Sequence, residues 1–273
     1  MRLSLVVPAH NESQRIEPTL RAYRRAFGSD IEIIVVANQC TDDTARVTRR
    51  VAEELGGITL LDIPEPVGKG GAVRAGFARA LGEFVGFVDA DLATPPADVL
   101  RVLEAAALGG GAIGSRWLPE SRVVGRTPGR DAAGRVFASL VRILLGLPFR
   151  DTQCGIKIFH RRYLPRYLAS SRVSDLAFDV ELLMIMKRLG VTIEEVPTTW
   201  FAQPGSSILG TVPGFARQGV RMMRSILLLW WRLRWGARPG AAASSGLEGA
   251  GPGSGPAAPP ESMSQGEAGP REP

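Results

Sequence analysis

Two aspartates one residue apart, Asp89 and Asp91, follow the apolar run FVGFV that begins at Phe84. Alternate residues of an extended strand point to the same side, so both carboxylates can reach one ligand. Carboxylate oxygens suit hard divalent cations such as Mg²⁺ or Mn²⁺, which usually share their coordination with substrate phosphates. Aspartate is also common where a strand turns, so the spacing alone leaves a metal site and a plain turn both open.

A glycine-rich segment, VGKGGAVRAG from Val67, is the second candidate for chemistry. Lys69 stands between glycines, Arg74 follows it, and a helix is predicted from about Ala72. A cation beside a helix N-terminus can hold a phosphate group. The segment lacks the Walker pattern, in which Ser or Thr follows the lysine, so phosphate binding and a simple tight turn are both open.

Arginines are concentrated between the aspartate pair and the segment DTQCG, and they suit phosphate because a guanidinium matches its geometry. They are Arg116, Arg122, Arg126, Arg130 and Arg135. A phosphate monoester is deprotonated at neutral pH and needs cations, whereas a sugar hydroxyl needs a general base. Neither His10 nor His160 stands where a base is expected. Asp151 is a candidate base, with orientation of its own loop as the alternative, and a merely solvated arginine loop is the alternative to a phosphate site.

Strand and helix patterns alternate over the first hundred residues and must position these side chains. The predicted strands cover 3–9, 31–37, 58–63 and 84–88, and the predicted helices cover 16–27, 44–55 and 72–81. Continuous apolar strands joined by helices predict an α/β fold with a mostly parallel sheet. Ligands of such sheets bind at the carboxyl ends of the strands, where His10 to Glu12, Asn38 and Asp89 to Asp91 are expected to converge.

The second half of the chain is less regular. We predict strands at 111–115 and 195–200 and helices at 136–147, 177–189 and 215–235. The last helix combines Arg217, Arg221 and Arg224 with leucines and tryptophans, a composition typical of a helix at a membrane surface. Packing of its tryptophans in the core is the alternative. From Ala237 onward Gly, Pro, Ala and Ser dominate, so 237–273 is predicted to be a disordered tail.

Composition limits the classes of function. The 273 residues include 33 Lys and Arg and 27 Asp and Glu, a net charge of +6, which suits an anionic partner. No nucleic-acid-binding pattern is present, so nucleic acid is not an expected partner. The two cysteines, Cys40 and Cys154, are too few for a disulfide scaffold and indicate a reducing compartment.

Targeting and membrane signals are weak in this sequence. The N-terminal residues lack the pattern of a cleaved leader, and no apolar stretch approaches the roughly 20 residues that span a bilayer. We therefore expect a cytoplasmic protein that is peripheral on the inner face of the membrane.

Five segments in order resemble a known family: VVPAHNE, VGKGGAVRAGF, DADLATPP, DTQCGIKIF and AFDVELL. They are similar to family-2 inverting glycosyltransferases with the GT-A fold, above all to the polyprenyl-phosphate branch typified by dolichyl-phosphate β-glucosyltransferase and dolichyl-phosphate mannosyltransferase. The resemblance covers roughly Met1 to Trp235. It implies a Rossmann-like GT-A domain over 1–236, with a nucleotide-binding half at 1–115, an acceptor half at 116–236 and a C-terminal amphipathic interface helix.

The resemblance also implies a reaction and its residues. The expected reaction is inverting, metal-dependent transfer of a hexose, glucose from UDP-glucose, to a polyprenyl phosphate at the membrane surface, with Mg²⁺ or Mn²⁺ bound by Asp89 and Asp91. Residues expected at the nucleotide sugar are Pro8, Ala9, Asn11, Glu12, Asn38, Lys69, Asp89 and Ala90. Those expected to be catalytic are Asp91, Asp151, Gln153 and Arg116, and those expected at the acceptor phosphate are Arg116, Arg130 and Arg135.

The sequence departs from the family after the second strand. Relatives carry DDGS or NDGS there, whereas this chain has Ala37-Asn38-Gln39-Cys40. Asparagine keeps a carbonyl acceptor for the nucleotide but loses the charge, which leaves the donor open. Ala93 stands where the mannosyl enzymes tend to have Gln. Two alternatives follow: a GT-A glycosyltransferase with a soluble or glycan acceptor, and a non-catalytic nucleotide-sugar-binding protein.

Overall fold

The computed structural model describes residues 2–125, 127–202 and 212–235. These residues form a seven-stranded sheet with helices on both faces and a separate two-stranded ribbon. The strands are β1 (Leu3–Ala9), β2 (Ile31–Asn38), β3 (Ile58–Ile63), β4 (Phe84–Val88), β5 (Gly110–Ser115), β6 (Arg122–Val124), β7 (Ile156–His160), β8 (Thr192–Pro197) and β9 (Thr199–Phe201). The α-helices are α1 (Ile16–Phe27), α2 (Thr44–Leu55), α3 (Gly68–Arg79), α4 (Pro96–Gly109), α5 (Pro128–Leu145), α6 (Leu164–Ser170), α7 (Phe178–Arg188) and α8 (Val212–Trp235).

The order of strands in the large sheet is β3-β2-β1-β4-β7-β5-β8. All neighbours pair in parallel except β7, which is antiparallel to both β4 and β5. Because β7 runs the opposite way, its N-terminal end lies at the edge where the other strands have their carboxyl ends. The turn before Ile156 is therefore brought between the end of β4 and the end of β5. We call this edge of the sheet the rim.

Apolar side chains pack on both faces of the sheet, as the continuous apolar strands predict. Val6 and Phe87 belong to one core cluster with residues of α3 and α7, and Leu5 and Val7 belong to the other with residues of α1 and α4. All four side chains are fully buried. Successive residues of β1 thus point to opposite faces of the sheet, as in any extended strand. The packing on both faces gives the rim loops a rigid base.

The predicted α/β architecture is confirmed, and the first four strands and first two helices lie where the sequence predicts them. Several other boundaries differ. Helix α3 begins at Gly68 rather than near Ala72, because the glycines are not a loop: a Cβ at Gly70 would lie 2.5 Å from Cβ of Phe178, so this turn of the helix packs directly on α7. Helix α5 begins at Pro128 rather than Val136, with proline in its first turn, where the missing N–H costs nothing.

The late strand predicted at 195–200 is two strands. Strand β8 pairs with β5 in the large sheet, and β9 leaves it to pair with β6 after Thr198. Thr198 marks the change, since its N–H and its hydroxyl both donate to the Ser115 carbonyl, at 3.1 Å. The tail predicted at 237–273 lies outside the described residues, as does the side chain of Arg130.

Candidate active site

The rim collects the predicted site residues from five strand ends. Pro8 and Ala9 end β1 and His10 to Glu12 follow it, and Asn38 ends β2. Asp89 to Asp91 follow β4, Arg116 follows β5, and Asp151 to Gly155 precede β7. Segments more than a hundred residues apart in sequence are thus brought to one edge. The site combines acidic, basic and amide side chains on backbone that the sheet holds fixed.

Asp89 and Asp91 have different surroundings. Oδ1 of Asp89 accepts a hydrogen bond from Nζ of Lys69 at 2.6 Å, and about a third of the Asp89 side chain is exposed. Oδ1 of Asp91 accepts the Ala93 N–H at 3.0 Å in a tight turn through Leu92, whose φ is 57°. Burial raises the pKa of Asp91, and the neighbouring negative charge of Asp89 raises it further. An added cation would relieve this repulsion.

The donor set fits a divalent cation that is shared with a substrate. Among the described residues no group of three or more His, Cys, Asp or Glu side chains is placed to hold a metal ion. Two carboxylates are nevertheless the protein share expected for Mg²⁺, which takes its other ligands from substrate phosphates and water. Asp89 and Asp91 could therefore hold an ion that takes its other ligands from a substrate, but they could not cage a metal by protein alone.

Helix α1 and the ribbon hold the aspartate loop in place. The Thr19 hydroxyl donates to the Ala90 carbonyl at 2.9 Å, and the Tyr23 hydroxyl donates to the Thr94 carbonyl at 2.8 Å. On the other side the Phe201 N–H donates to the Ala93 carbonyl at 3.0 Å. The loop is thus fixed by two buried hydroxyl groups and one backbone N–H that lie far away in sequence.

Lys69 lies in the first turn of α3, at the rim end of that helix. Its Nζ is 5.6 Å from the Phe87 ring centroid and 5.8 Å from the Phe178 ring centroid. The two rings hold the ammonium group beside Asp89 and a quarter of the side chain stays exposed. A lysine and a helix N-terminus at the same point are suited to a phosphate group.

The loops after β1 and β2 are joined to each other. Oδ1 of Asn11, a residue with φ of 56°, accepts the Thr41 N–H at 2.8 Å, and the Glu12 N–H donates to the Thr44 hydroxyl at 2.7 Å. Burial raises the pKa of Glu12 more than Arg15 lowers it, and the charges of Asp91 and Asp89 add to the rise. Glu12 is therefore electrostatically part of the aspartate site.

Asn38 is buried, and its side-chain oxygen has a protein partner. Oδ1 accepts the Val67 N–H at 3.0 Å, so Asn38 fixes the turn that enters α3. The backbone carbonyl of Asn38 lies 2.8 Å from Nδ1 of His10. We expected the side-chain oxygen of Asn38 to contact the nucleotide, but in the structure it orients the glycine-rich segment. His10 contacts the backbone of Asn38.

Arg116 and Asp151 form a two-point ion pair at the ends of β5 and β7. Nε and Nη2 of Arg116 donate to Oδ2 and Oδ1 of Asp151 at 2.7 and 2.9 Å, and the Arg116 N–H donates at 3.0 Å. Asp151 is fully buried. Burial raises its pKa, but the charge and hydrogen bonds of Arg116 outweigh burial and hold the pKa below its ordinary value. This geometry favours Asp151 as the group that orients Arg116 over Asp151 as a general base.

Two tryptophans that the sequence interpretation did not select frame Arg116. Its guanidinium carbon lies 5.5 Å from the Trp117 ring centroid and 5.8 Å from the Trp200 ring centroid. Trp117 was detectable, because it follows Arg116 directly, whereas Trp200 comes from the distant ribbon. Buried polar atoms without a hydrogen-bond partner among the described residues cluster nearby in sequence: Ser115 Oγ, Trp117 Nε1, Thr152 Oγ1 and Gln153 Nε2.

A cavity of about 610 Å³ lies beside Arg116 and Trp117 and is completed by the first turns of α5. Arg135, one of the predicted phosphate residues, lines it, and its Nε pairs with Asp131 at 2.9 Å. Of the three predicted phosphate residues the structure therefore brings Arg116 and Arg135 to one cavity. Arg130 belongs to α5, and its side chain is outside the described residues.

A second ion pair lies beneath the rim. Nζ of Lys157 donates to Oδ1 of Asp179 at 2.5 Å and to the Cys154 carbonyl at 2.9 Å, and both side chains are buried. Glu181, two residues after Asp179 in the segment AFDVELL, accepts the N–H groups of Arg172 and Val173. Sequence reasoning missed Lys157, since a lysine inside an apolar strand carries no pattern that predicts a buried partner.

Helices α5 and α8 expose an apolar surface. The outward side chains are Val136, Leu140 and Ile143 on α5 and Val220, Leu227, Leu228 and Trp231 on α8. Ile226 and Leu229 of α8 are buried, so this helix packs on the domain with one face and exposes leucine and tryptophan on the other. The buried residues of this helix are aliphatic, whereas Trp231 is 59% exposed, and its attachment to a membrane surface stays a prediction. None of the described helices is long and apolar enough to cross a membrane.

Comparison with known proteins connects this site to a family. The protein-family model described as "Glycosyl transferase family 2" matches residues 4–168 of this chain. The dolichyl-phosphate beta-glucosyltransferase of Drosophila melanogaster is 34% identical over 255 residues, which cover 87% of this chain and 77% of the relative. The human dolichyl-phosphate beta-glucosyltransferase is 31% identical over 229 residues, covering 76% of this chain and 70% of the relative.

Two further similarities are more limited in scope. Glycosyltransferase AglD of Haloferax volcanii is 30% identical over 240 residues, which cover 85% of this chain but 38% of the relative. Glucosyl-3-phosphoglycerate synthase from Mycobacterium tuberculosis, solved with Mn²⁺, UDP and glucosyl-3-phosphoglycerate, matches with a TM-score of 0.63 at 22% identity. That match covers 84% of this chain and 79% of the solved chain, and it establishes the fold.

Proposed function

The chain belongs to glycosyl transferase family 2 and is a glycosyltransferase, and from that premise we propose that it transfers glucose from UDP-glucose to a polyprenyl phosphate at a membrane surface, with inversion. The observation that carries the proposal is the Arg116–Asp151 pair beside the 610 Å³ cavity. The pair offers a fixed guanidinium group to the acceptor phosphate. The buried Asp151 carboxylate is already hydrogen-bonded to Arg116 and is therefore not available as a base. The names of the dolichyl-phosphate relatives support the same acceptor class.

The reaction needs an attacking oxygen, an anomeric carbon and a leaving nucleoside diphosphate. An oxygen of the acceptor phosphate would form the new bond to the anomeric carbon while the bond to the β-phosphate oxygen of the donor breaks on the opposite face. A phosphate monoester is already deprotonated at neutral pH, so no side chain has to remove a proton. The absence of an available base at Asp151 is thereby accounted for.

The protein's contribution would be to position and to balance charge. Asp89 and Asp91 would hold Mg²⁺ or Mn²⁺, which offsets the negative charge of the diphosphate leaving group. Lys69 and the N-terminus of α3 would bind a donor phosphate, with Lys69 moving from Asp89 to the ligand. Pro8, Ala9, Asn11 and Glu12 would border the nucleotide, and Arg116 with Arg135 would bind the acceptor phosphate.

A lipid acceptor requires the protein to work at a membrane. The exposed apolar side chains of α5 and α8, with Arg221 and Arg224 exposed on the same helix, support attachment to an anionic surface. Free Cys40 and Cys154 fit a reducing compartment, so we propose the cytoplasmic, inner face of the membrane.

The test is a transfer assay on the purified full chain. Radiolabelled UDP-glucose, UDP-galactose and GDP-mannose are each offered with polyprenyl phosphate, with unphosphorylated polyprenol or with no lipid, in Mn²⁺ or in EDTA. Label entering the organic phase only with UDP-glucose, polyprenyl phosphate and metal is the expected result. Transfer to polyprenol or turnover without lipid would reject the phosphate acceptor, and turnover in EDTA would reject the metal.

A further inference from the structure

Trp117 lines the cavity beside the rim, and its side chain carries a hydrogen-bond donor without a partner among the described residues. Nε1 of Trp117 is buried and has no hydrogen-bond partner among the described residues. A buried N–H without a partner destabilises a fold, and in native structures such a group usually has a water or ligand as its partner. The indole N–H donates and never accepts, so its ligand atom must be an acceptor such as an oxygen.

The surroundings of this N–H select the kind of acceptor. The Arg116 guanidinium lies over the Trp117 ring. Nε and Nη2 of Arg116 donate hydrogen bonds to Asp151, whereas Nη1 of Arg116 makes no hydrogen bond to another described residue. Arg135 lies on the same cavity, paired with the Asp131 carboxylate. Most of the Arg135 side chain is exposed, and an exposed ion pair is weak enough for an incoming anion to replace.

We propose that the indole N–H of Trp117 donates a hydrogen bond to a phosphate oxygen of the acceptor, beside the Arg116 guanidinium. Trp117 is then a specificity-determining residue for phosphorylated acceptors. It supplies a neutral donor on a rigid ring, and the fixed Arg116 supplies the charge. This inference rests on the proposed function, because it takes the phosphate monoester as the group that enters the cavity.

The Trp117→Phe variant keeps an aromatic ring beside Arg116 and removes the five-membered ring that bears the N–H. Loss of one hydrogen bond to a charged group predicts an increase of about 10-fold or more in the KM for polyprenyl phosphate. The KM for UDP-glucose should stay within about twofold of wild type, because the donor binds elsewhere on the rim. Trp200→Phe removes the other tryptophan beside Arg116, whose N–H is not among the unpartnered atoms, and should raise the acceptor KM less.

A second measurement does not depend on turnover. The chain has five tryptophans, so ¹⁵N-labelled indoles give five N–H signals, and the signal missing from Trp117→Phe belongs to Trp117. Saturating polyprenyl phosphate should move that signal to lower field. Inorganic phosphate moving it as well would show that the phosphate alone is recognised, and movement only with the lipid would show that the chain is required too. Polyprenol should leave it in place.

The outcomes separate this inference from the function on which it rests. If wild-type protein transfers no glucose to polyprenyl phosphate, the proposed function is wrong whatever Trp117 does. If wild-type protein transfers glucose normally, but Trp117→Phe has a wild-type acceptor KM and the indole signal does not move, only the role of Trp117 is overturned. Circular dichroism and thermal melting confirm that each variant is folded before either result is interpreted.

Discussion

Gly155 lies directly against the carboxylate of Asp89. A Cβ at position 155 would stand 2.9 Å from Cγ of Asp89 and closer still to Oδ2. The glycine of the segment DTQCG therefore sets the space in which the first aspartate of the pair can sit. Antiparallel β7 makes this contact, because it brings the turn before Ile156 next to the end of β4.

The substitution Gly155→Ala should displace Asp89 and impair the donor site. We expect kcat/KM for UDP-glucose to fall by about 100-fold, since a misplacement of about 1 Å at a reacting group has effects of that order. Steady-state kinetics at several Mn²⁺ concentrations measures the loss. Gly129→Ala is the control, because a Cβ there meets open space and the position is helical. Equal kinetics for the two variants would show that Asp89 tolerates the displacement.

The Arg116–Asp151 pair predicts a non-additive mutant cycle. If Asp151 acts by orienting Arg116, Asp151→Asn should raise the acceptor KM, and adding it to Arg116→Lys should cost little more. If Asp151 were a general base, Asp151→Asn would instead lower kcat by the same factor whether or not Arg116→Lys was also present. The measurement is kcat and acceptor KM for the two single variants and the double variant, and additive losses in kcat would restore Asp151 as a base.

The buried pair Lys157–Asp179 predicts a separation of stability from activity. Lys157→Met alone leaves the Asp179 carboxylate unpaired and should cost about 3–5 kcal/mol of unfolding free energy. The double variant Lys157→Met, Asp179→Leu should recover most of that stability, because an apolar pair of similar size can replace a buried ion pair. It should still transfer glucose about 10-fold more slowly, since the Cys154 carbonyl loses its donor beside Gly155.

Chemical denaturation and kcat on the same preparations test this separation. A double variant that is both stable and fully active would show that the pair serves the core alone. Glu32→Gln is a suitable control. Glu32 lies near the start of β2, away from the rim, where it accepts hydrogen bonds from Ser4 and Leu81, and it touches none of the rim residues named above.

Asp42 predicts a pH-dependent contribution to stability in the nucleotide loops. Burial raises the pKa of this carboxyl, but hydrogen bonds from Thr44 and Ser13 outweigh burial and lower the pKa to about 2, from an ordinary value of 3.8. A depressed pKa stabilises the fold at all pH values above 3.8, and the stabilisation is lost as the pH falls from 3.8 towards 2. The melting temperature of Asp42→Asn should therefore lie below wild type at neutral pH and approach it in that acid window. A difference that is constant with pH would contradict this assignment.

The sequence predicted the half of the site that lies on regular parallel strands. Strands β1, β2 and β4 are continuous apolar runs, and polar residues follow each of them, so the meeting of Asn11, Asn38 and Asp89 at one edge follows from strand direction alone. Asp151 and Arg116 were selected as residues, but their pairing was not. They are 35 positions apart and meet only because β7 runs against its neighbours.

Two other features have no local signal. Lys157 breaks the apolar pattern of its strand, and its partner Asp179 lies 22 positions away on a helix. The start of α5 contains two glycines and reads as a loop, yet Pro128 begins the helix and tertiary contacts complete it. In both cases packing against distant elements decided the structure, and single-sequence patterns do not contain that information.

The exposed apolar surface of α5 and α8 predicts reversible membrane attachment that is separable from catalysis. Ile143 and Leu228 are 83% and 49% exposed, and replacing both by Glu removes two apolar anchors and adds like charge to an anionic surface. The loss of two aliphatic side chains that would be partly buried in the membrane should weaken binding to phosphatidylglycerol vesicles, measured by sedimentation, by about 10-fold or more.

Leu108→Glu is the matched control, because Leu108 is 87% exposed on α4 and belongs to neither helix. UDP binding, measured by calorimetry with Mn²⁺, should be the same in all three proteins, since the nucleotide loops lie on other elements. Vesicle binding that survives the double substitution would assign attachment to a different surface, and loss of UDP binding would show that the two functions share residues.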